Sequence, residues 1–286
     1  MTTVVKIGGA RAVDPAGALS DVASLREDGE DVAVVHGGST AVDETLERLG
    51  IEPEYVETPS GVVGRFTDAE TMEVFEMVFG HLNTQLVAGL QSQGVDAVGV
   101  NGVDGKLLYG PRKSAVRVME DGTRKIKRGD HSGTIKRVNS DLLETLFADG
   151  YTPVASPPMA GKESEARSAS NESSGEQSEA DHREAGALEA TLVLLTDVEG
   201  IYADPDDPET LIESVETPAD WADLADAAEG FMERKAMAIE EAIDGGAEEV
   251  VVADANAESP ILSALDGGGT HVYASAFAAT AEEDTQ

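Results

Sequence analysis

Lys6 stands inside an otherwise apolar run, Val4-Val5-Lys6-Ile7, and that run ends in Gly8-Gly9. A lysine in a buried strand needs a partner for its charge, and a phosphate would serve. On an edge strand the same side chain would simply face water. A second apolar run, Val32 to Val35, also ends in glycines, His36-Gly37-Gly38-Ser39. Glycine pairs at strand ends leave backbone N–H groups open, which suits phosphate or carboxylate oxygens. A third run, Thr191 to Leu195, ends at Thr196-Asp197. The chain has neither the Walker-type phosphate loop nor the Gly-x-Gly-x-x-Gly turn of dinucleotide sites. Any anion chemistry therefore rests on the paired glycine turns and nearby lysines.

These groups need elements to position them. Apolar runs predict strands at Val4–Ile7, Val32–Val35, Ala97–Val100, Thr152–Ser156, Thr191–Leu195, Val250–Ala253 and His271–Ala274. Amphipathic patterns predict helices at Ala18–Leu25, Ala41–Leu49, Thr71–Leu90, Asp141–Ala148 and Phe231–Ile243. Gly102 to Thr134 is Gly-punctuated, charged and β-branched, and reads as hairpins. Buried strands separated by helices imply a three-layer α/β/α fold around a mostly parallel sheet. Ligands of such sheets bind at the carboxyl ends of the strands, where Gly8-Gly9, Gly37-Gly38 and Thr196-Asp197 fall.

Charge is segregated. Ten of the 20 Lys and Arg residues lie between Lys106 and Arg137, against Glu120, Asp121 and Asp130. That window is net +7, whereas the chain is −36 and the remainder −43. Such clustering is expected where one face meets an anionic partner; the alternative is a solvated hairpin of mixed charge. The acidic bulk argues against general nucleic-acid binding. A pI near 4.2 suggests a halophilic cytoplasm, where salt screens self-repulsion. Zero cysteines exclude disulfides, thiol nucleophiles and Cys-ligated metals. Met1 to Lys6 has no charged segment leading into an apolar one, and no apolar run reaches membrane-spanning length, so a soluble intracellular protein is expected.

One stretch stands apart. Ala160 to Ala187 contains no Val, Ile, Leu, Met, Phe, Trp or Tyr. A segment with so little to bury cannot offset its ordering entropy, so 160–187 is expected to be a disordered or loosely packed linker, with a short helix entering near Glu184 to Ala190.

Taken together, Lys6-Ile-Gly-Gly9, His36-Gly-Gly-Ser39, Gly64-Arg-Phe-Thr-Asp68, Leu194-Leu-Thr-Asp197-Val-Glu-Gly-Ile-Tyr202 and Gly230-Phe-Met-Glu-Arg-Lys235 resemble the amino acid kinase superfamily. Order and spacing match across nearly the whole chain. The likeness is nearest to the branch that phosphorylates the side-chain carboxylate of glutamate or 2-aminoadipate held on a small acidic amino-group carrier protein. Free N-acetylglutamate kinase is the near relative. The Arg-Phe-Thr-Asp variant and the basic hairpin region favour the carrier-linked branch.

The resemblance implies one kinase domain over 1–286. Its N-lobe (1–159) would bind substrate and carrier, the latter through the basic region 102–137, and its C-lobe (188–286) would bind nucleotide. It implies attack of a carboxylate oxygen on the γ-phosphorus of ATP, with Mg²⁺ on the phosphates, catalysed by positioning and charge neutralisation. Lys6 and Lys235 would flank the transferring group. Read alone, Lys235 is an exposed lysine on an amphipathic helix. Gly37, Gly38 and Ser39 would bind the phosphoryl group or substrate carboxylate, and Gly8 and Gly9 the ATP phosphates. Arg65 would pair bidentately with an α-carboxylate. Thr196, Asp197 and Tyr202 would border the nucleotide. Lys113, Arg117, Arg124, Lys125, Lys127 and Arg128 would dock the carrier.

The family's Asn-x-x-x-Asp falls where this chain has its apolar-free stretch. Asn171 would hold substrate and Asp181 would organise the lysines, although they lie ten residues apart instead of four. Three explanations stay open: a local corruption of the sequence, a divergent loop, or a catalytically impaired paralogue that binds carrier or ATP without transfer. Relatives are commonly homodimers. Met72, Phe75, Met77, Val78, Phe79 and Leu82 mark Thr71–Leu90 as either an interface helix or ordinary core.

Overall fold

A computed structural model describes residues 2–8, 15–59, 61, 63–120, 122–161, 167–170, 188–204, 206–227 and 231–277. Its central sheet has eight strands. Their order is β14 (Ser214–Val215), β16 (Thr270–Tyr273), β15 (Glu249–Asp254), β13 (Thr191–Thr196), β1 (Thr2–Ile7), β2 (Asp31–His36), β10 (Thr152–Ser156) and β5 (Ala97–Asn101). Neighbours pair in parallel except β15 with β16. The apolar runs predicted as strands are these strands, because parallel strands buried on both faces have no polar side to alternate with. Both halves of the chain share this sheet through the β1–β13 ladder.

Helices cover both faces. On one, Val5, Val34 and Val193 pack with Leu19 and Val22 of α1 (Pro15–Glu27), Leu90 of α3 (Ala69–Ser92) and Ile261 of α7 (Pro260–Leu265). On the other, Val4, Val35 and Leu194 pack with Leu143 of α4 (Ser140–Ala148), Leu224 of α5 (Pro218–Ala227) and Ile239 of α6 (Phe231–Gly245). Asp21, buried in α1, accepts the Ile261 N–H at 2.8 Å and so ties two distant segments at the start of α7.

The apolar stripe of α3 is core within this chain. Met72, Phe75, Val78 and Phe79 pack on Val42 and Leu46 of α2 (Ser39–Leu49), and Met77 alone of the stripe is strongly exposed, at 58%. Asp68 fixes where α3 starts by accepting the Thr71 N–H at 2.8 Å, an N-cap that satisfies a first-turn donor.

A second sheet of six strands stands beside the first, ordered β7 (Arg112–Glu120), β8 (Thr123–Gly133), β12 (Arg167–Ser170), β11 (Met159–Gly161), β6 (Leu108–Gly110) and β9 (Arg137–Val138). The basic window is thus the predicted hairpin, β7–β8, turning through Gly122 at φ 71°. Part of the stretch read as a linker is strand: β11 reaches Gly161, and β12 pairs with β8 and β11. Backbone pairing with an existing sheet satisfies the main-chain donors and acceptors of these residues. At the other end, Leu188 and Glu189 form a turn, and Glu184 to Ala187, where the short helix was expected to enter, are not among the described residues. Residues 171–187 lie outside the described residues. A small antiparallel pair, β3 (Tyr55–Glu57) and β4 (Val63–Arg65), carries Arg65 at its end.

Candidate active site

Parallel alignment of β1 and β2 brings their two glycine turns together. The Gly37 N–H donates to Ile7 O at 3.1 Å. Gly8, Gly37 and Gly38 line one cavity of about 310 Å³ with Pro15, Leu82 and Gln85. Gly38 caps α2 with no side-chain hydrogen bond, so the first amides of that helix are open to an anion, and Ser39 begins it. A Cβ at 38 would lie 2.7 Å from Leu82 Cδ1 and 3.3 Å from the Phe79 ring, so a larger residue there would have to displace the Leu82 side chain.

Lys6 lies on a central strand between β2 and β13, which rules out the edge-strand reading. Side chains two residues apart share a sheet face. Val4 packs in the cluster that contains Ile239 and Ala242 of α6, so half-buried Lys6 faces the layer to which α6 belongs. Lys235 comes from α6 next to Ala236, a member of the same cluster. It is half-buried rather than exposed. Burial pushes its ammonium pKa down, and the Asp197 carboxylate at the end of β13 opposes that shift. Lys6 is in register with Leu194, three residues before Asp197 on the neighbouring strand. The two lysines therefore share a face of the sheet near the carboxyl ends of β1 and β13. Asp197 is exposed, the Thr196 hydroxyl donates to Val198 O at 3.0 Å, and the Tyr202 hydroxyl to Glu199 Oε2 at 3.3 Å.

Arg65 is 2% exposed and tightly held. Its Nε and Nη2 reach Asp43 Oδ1 at 3.1 and 2.8 Å, and Nη2 donates to Ser39 O at 3.1 Å. The guanidinium also lies 5.2 Å from the centre of the Phe75 ring. Asp43, Tyr55, His36 and Asn83 were missed as site residues in the sequence. His36 alone carried a signal, its place in the His-Gly-Gly-Ser turn. Gly9, Asn171 and Asp181 lie outside the described residues.

The hairpin sorts the cations predicted to act together. Cross-strand partners share a face, and the register pairs Arg117 with Ile126, Met119 with Arg124 and Ala115 with Arg128. Arg117, Arg124 and Arg128 therefore surround Ile126, 66% exposed, on one side. Lys125 and Lys127 lie on the opposite side with Val116 and buried Val118. Lys125 pairs with Glu120 at 2.7 Å. Lys127 pairs with Glu54 and sits 4.3 Å over the Phe66 ring, fastening the hairpin to the body. Lys113 is exposed near the start of β7. Among the described residues, no cluster of three or more His, Asp or Glu side chains could hold a metal, and no helix is long and apolar enough to cross a membrane.

The fold is an α/β/α sheet with glycine turns at its strand ends, and comparison with known proteins gives the family. Residues 1–254 match the amino acid kinase family. The chain is 42% identical over 278 residues to the LysW-aminoadipate kinase of Thermus thermophilus, covering 94% of this chain and 99% of that protein. It is 38% identical over 273 residues to the acetylglutamate kinase of Methanopyrus kandleri, covering 94% and 99%. Among solved structures, N-acetylglutamate synthase from Neisseria gonorrhoeae complexed with coenzyme A and N-acetyl-glutamate superposes with a TM-score of 0.74 at 22% identity. That match covers 95% of this chain and 59% of the synthase. Giardia carbamate kinase gives a TM-score of 0.63 at 14% identity, covering 95% and 98%. The protein belongs to the amino acid kinase family: it is a kinase of amino acid biosynthesis whose acceptor is a carboxyl group.

Proposed function

We propose that the chain uses ATP to phosphorylate the side-chain carboxylate of glutamate or 2-aminoadipate attached to an acidic amino-group carrier protein, in arginine or lysine biosynthesis. The observation that carries this reading is the arginine face of the hairpin. Three guanidiniums around one exposed isoleucine, on a chain of net charge −36, form a surface suited to an acidic protein. Guanidinium forks pair bidentately with carboxylates, and an exposed apolar residue at the centre supplies burial. The 42% identity to a LysW-aminoadipate kinase supports the same reading.

In this reading the nucleophile is already ionised, so no general base is required. Lys6 and Lys235 neutralise charge on the transferring phosphoryl group, and the amides of Gly37, Gly38 and Ser39 hold its oxygens or those of the substrate. Arg65, its plane set by Asp43, orients the acceptor. Gly8 and Gly9 bind ATP phosphates, with Thr196, Asp197 and Tyr202 beside the nucleotide. Mg²⁺ would arrive with the phosphates of ATP, where it would offset their charge. The likeness to an acetylglutamate kinase favours a second reading, in which the acceptor is free N-acetylglutamate.

Trapping the acyl phosphate with hydroxylamine separates the two. Product with carrier-linked glutamate or aminoadipate and none with free N-acetylglutamate is expected; the reverse would move the chain to the second reading. Reversing Arg117, Arg124 and Arg128 to Glu should raise KM for the carrier-linked acceptor by at least about tenfold, since close charge pairs contribute on the order of 1.5 kcal/mol or more each, and should leave KM for ATP unchanged. Equal carrier KM in variant and parent would sink the docking assignment.

A further inference from the structure

His36 ends β2, and its ring lies beneath the Gly37–Gly38 turn at 2% exposure, stacked on Phe79 with centroids 5.7 Å apart. Asn83, on α3, reaches it from the other side. The Asn83 amide nitrogen donates to Val154 O at 2.8 Å and lies 3.3 Å from His36 Nε2. Val154 O can only accept, so the group facing both partners is the amide NH₂, and Nε2 must be the accepting ring nitrogen. The single proton of a neutral ring then sits on Nδ1, which is 3.1 Å from Gly37 O and donates to it. Burial holds the ring pKa down to about 4, so a second proton does not arrive at neutral pH.

This chain of contacts has a consequence for the turn. No peptide bond among the described residues is cis, so the Gly37 carbonyl and the Gly38 N–H point in opposite directions within one plane. A carbonyl fixed toward the ring sends the Gly38 N–H away from it. Without that bond the plane is free to rotate, since a glycine on each side imposes little steric preference. Gly38 lines the cavity between the two glycine turns, and its own side is closed by Leu82 and Phe79.

We infer that His36, held as the Nδ1–H tautomer by Asn83, is a positioning residue that aims the Gly38 N–H at an anionic oxygen in the glycine-lined site. Its partner through Gly38 is a phosphoryl or carboxylate oxygen, so the inference rests on the proposed role of that turn. His36 donates no proton to substrate. It keeps one backbone donor pre-aimed, the kind of group whose removal costs on the order of 100-fold in turnover.

Two measurements test it. Nitrogen-15 NMR of the full chain should find the His36 ring at pH 7.5 with its proton on Nδ1, and Asn83→Ala should make the other tautomer appear. A protonated Nε2 in the parent overturns the inference whatever the kinetics show. For turnover, His36→Asn places an amide nitrogen near the position of Nδ1, whereas His36→Gln places one near Nε2. His36→Asn should keep kcat within about fivefold of the parent, and His36→Gln should lose about 100-fold in kcat with KM for ATP changed less than threefold, a split that marks an interaction made in the transition state. Thermal unfolding of both variants controls for stability, and equal kcat in the two removes the positioning role. An Nδ1–H ring together with full activity in His36→Gln overturns the role assigned to the glycine turn itself, which separates that failure from a wrong tautomer.

Discussion

Arg65 and Asp43 meet at 2.8 Å across the space between β4 and α2, and the arginine is buried while the aspartate is 28% exposed. One edge of the guanidinium is occupied by Asp43 and Ser39 O, which fixes its plane before any acceptor arrives. Asp43→Ala removes from a buried cation the carboxylate that lies 2.8 Å from it. Such losses cost about 3–5 kcal/mol when fully buried, and the partial exposure of Asp43 reduces the expected cost to about 2 kcal/mol. Acceptor KM should rise about tenfold with kcat nearly constant, because the orientation of Arg65 serves binding in ground and transition state alike. Asp43→Asn, which keeps one accepting oxygen, should lose less. Lower thermal stability with an unaltered acceptor KM would confine Arg65 to a structural role.

Lys235 yields a pH prediction whose sign is set by two opposing causes. Burial lowers its pKa from 10.5, and Asp197 raises it. The charged form, which in the proposed role neutralises phosphoryl charge, is therefore lost at lower pH than for an ordinary lysine. The profile of kcat/KM for ATP, which reports the free enzyme, should fall on its alkaline side below pH 10.5. Asp197→Asn removes the opposing charge and should shift that limb further toward neutrality. Lys235→Arg stays charged and should abolish the limb even if turnover falls. A limb at the same pH in Asp197→Asn would show that the two residues are not coupled.

Some of this was open to sequence reasoning for definite physical reasons. Val32–Val35 and Thr191–Leu195 read as strands because both faces of a central parallel strand are buried. The basic hairpin was readable from charge and turn glycines. Its two faces were not, because side chains alternate with period two and a slip of one residue exchanges the faces. The bulge between Arg112 and Ala115 sets that register, and composition carries no record of it. The pairing of Arg65 with Asp43 spans 22 residues and depends on the β3–β4 sheet folding back on α2. Lys6 and Lys235 are the extreme case: sequence places them at opposite ends, and only the order of strands puts both on one face. The same distance hid Asn83, 47 residues from His36.

His36 also predicts an acid-sensitive stability. Its pKa is about 4 in the folded chain against 6.5 when exposed. Between those values the unfolded chain binds a proton that the folded ring refuses, so stability falls as pH drops through the window. The contribution is fully present above about pH 6.5 and lost toward pH 4, and amounts to on the order of 3 kcal/mol. Many carboxylates titrate over the same range, so the parent alone is uninformative. The difference in unfolding free energy between parent and His36→Asn, measured from pH 7 to 4, cancels them. That difference should shrink or reverse on acidification. A pH-independent difference would mean that the folded ring takes up its proton at the same pH as the unfolded one.

The charge of the whole chain predicts its response to salt. At −36 over 29.8 kDa, carboxylates repel one another over most of the surface, and half of the 20 cations that offset them are gathered in the basic window. Screening reaches about 10 Å at 0.1 M salt and about 3 Å at 1 M, so repulsion between exposed neighbours fades across that interval. The unfolded chain is more extended, carries the same charges farther apart and gains less from screening. Melting temperature should therefore climb steadily in potassium chloride from 0.1 to 2 M. Sucrose at matched osmolality acts through exclusion from the surface alone and should raise it less. The same screening acts on the arginine face, whose contacts with an acidic protein must then be close pairs to survive. A melting temperature that is flat in salt, or that rises equally in sucrose, would show that self-repulsion does not limit this fold and would remove the case for a high-salt environment.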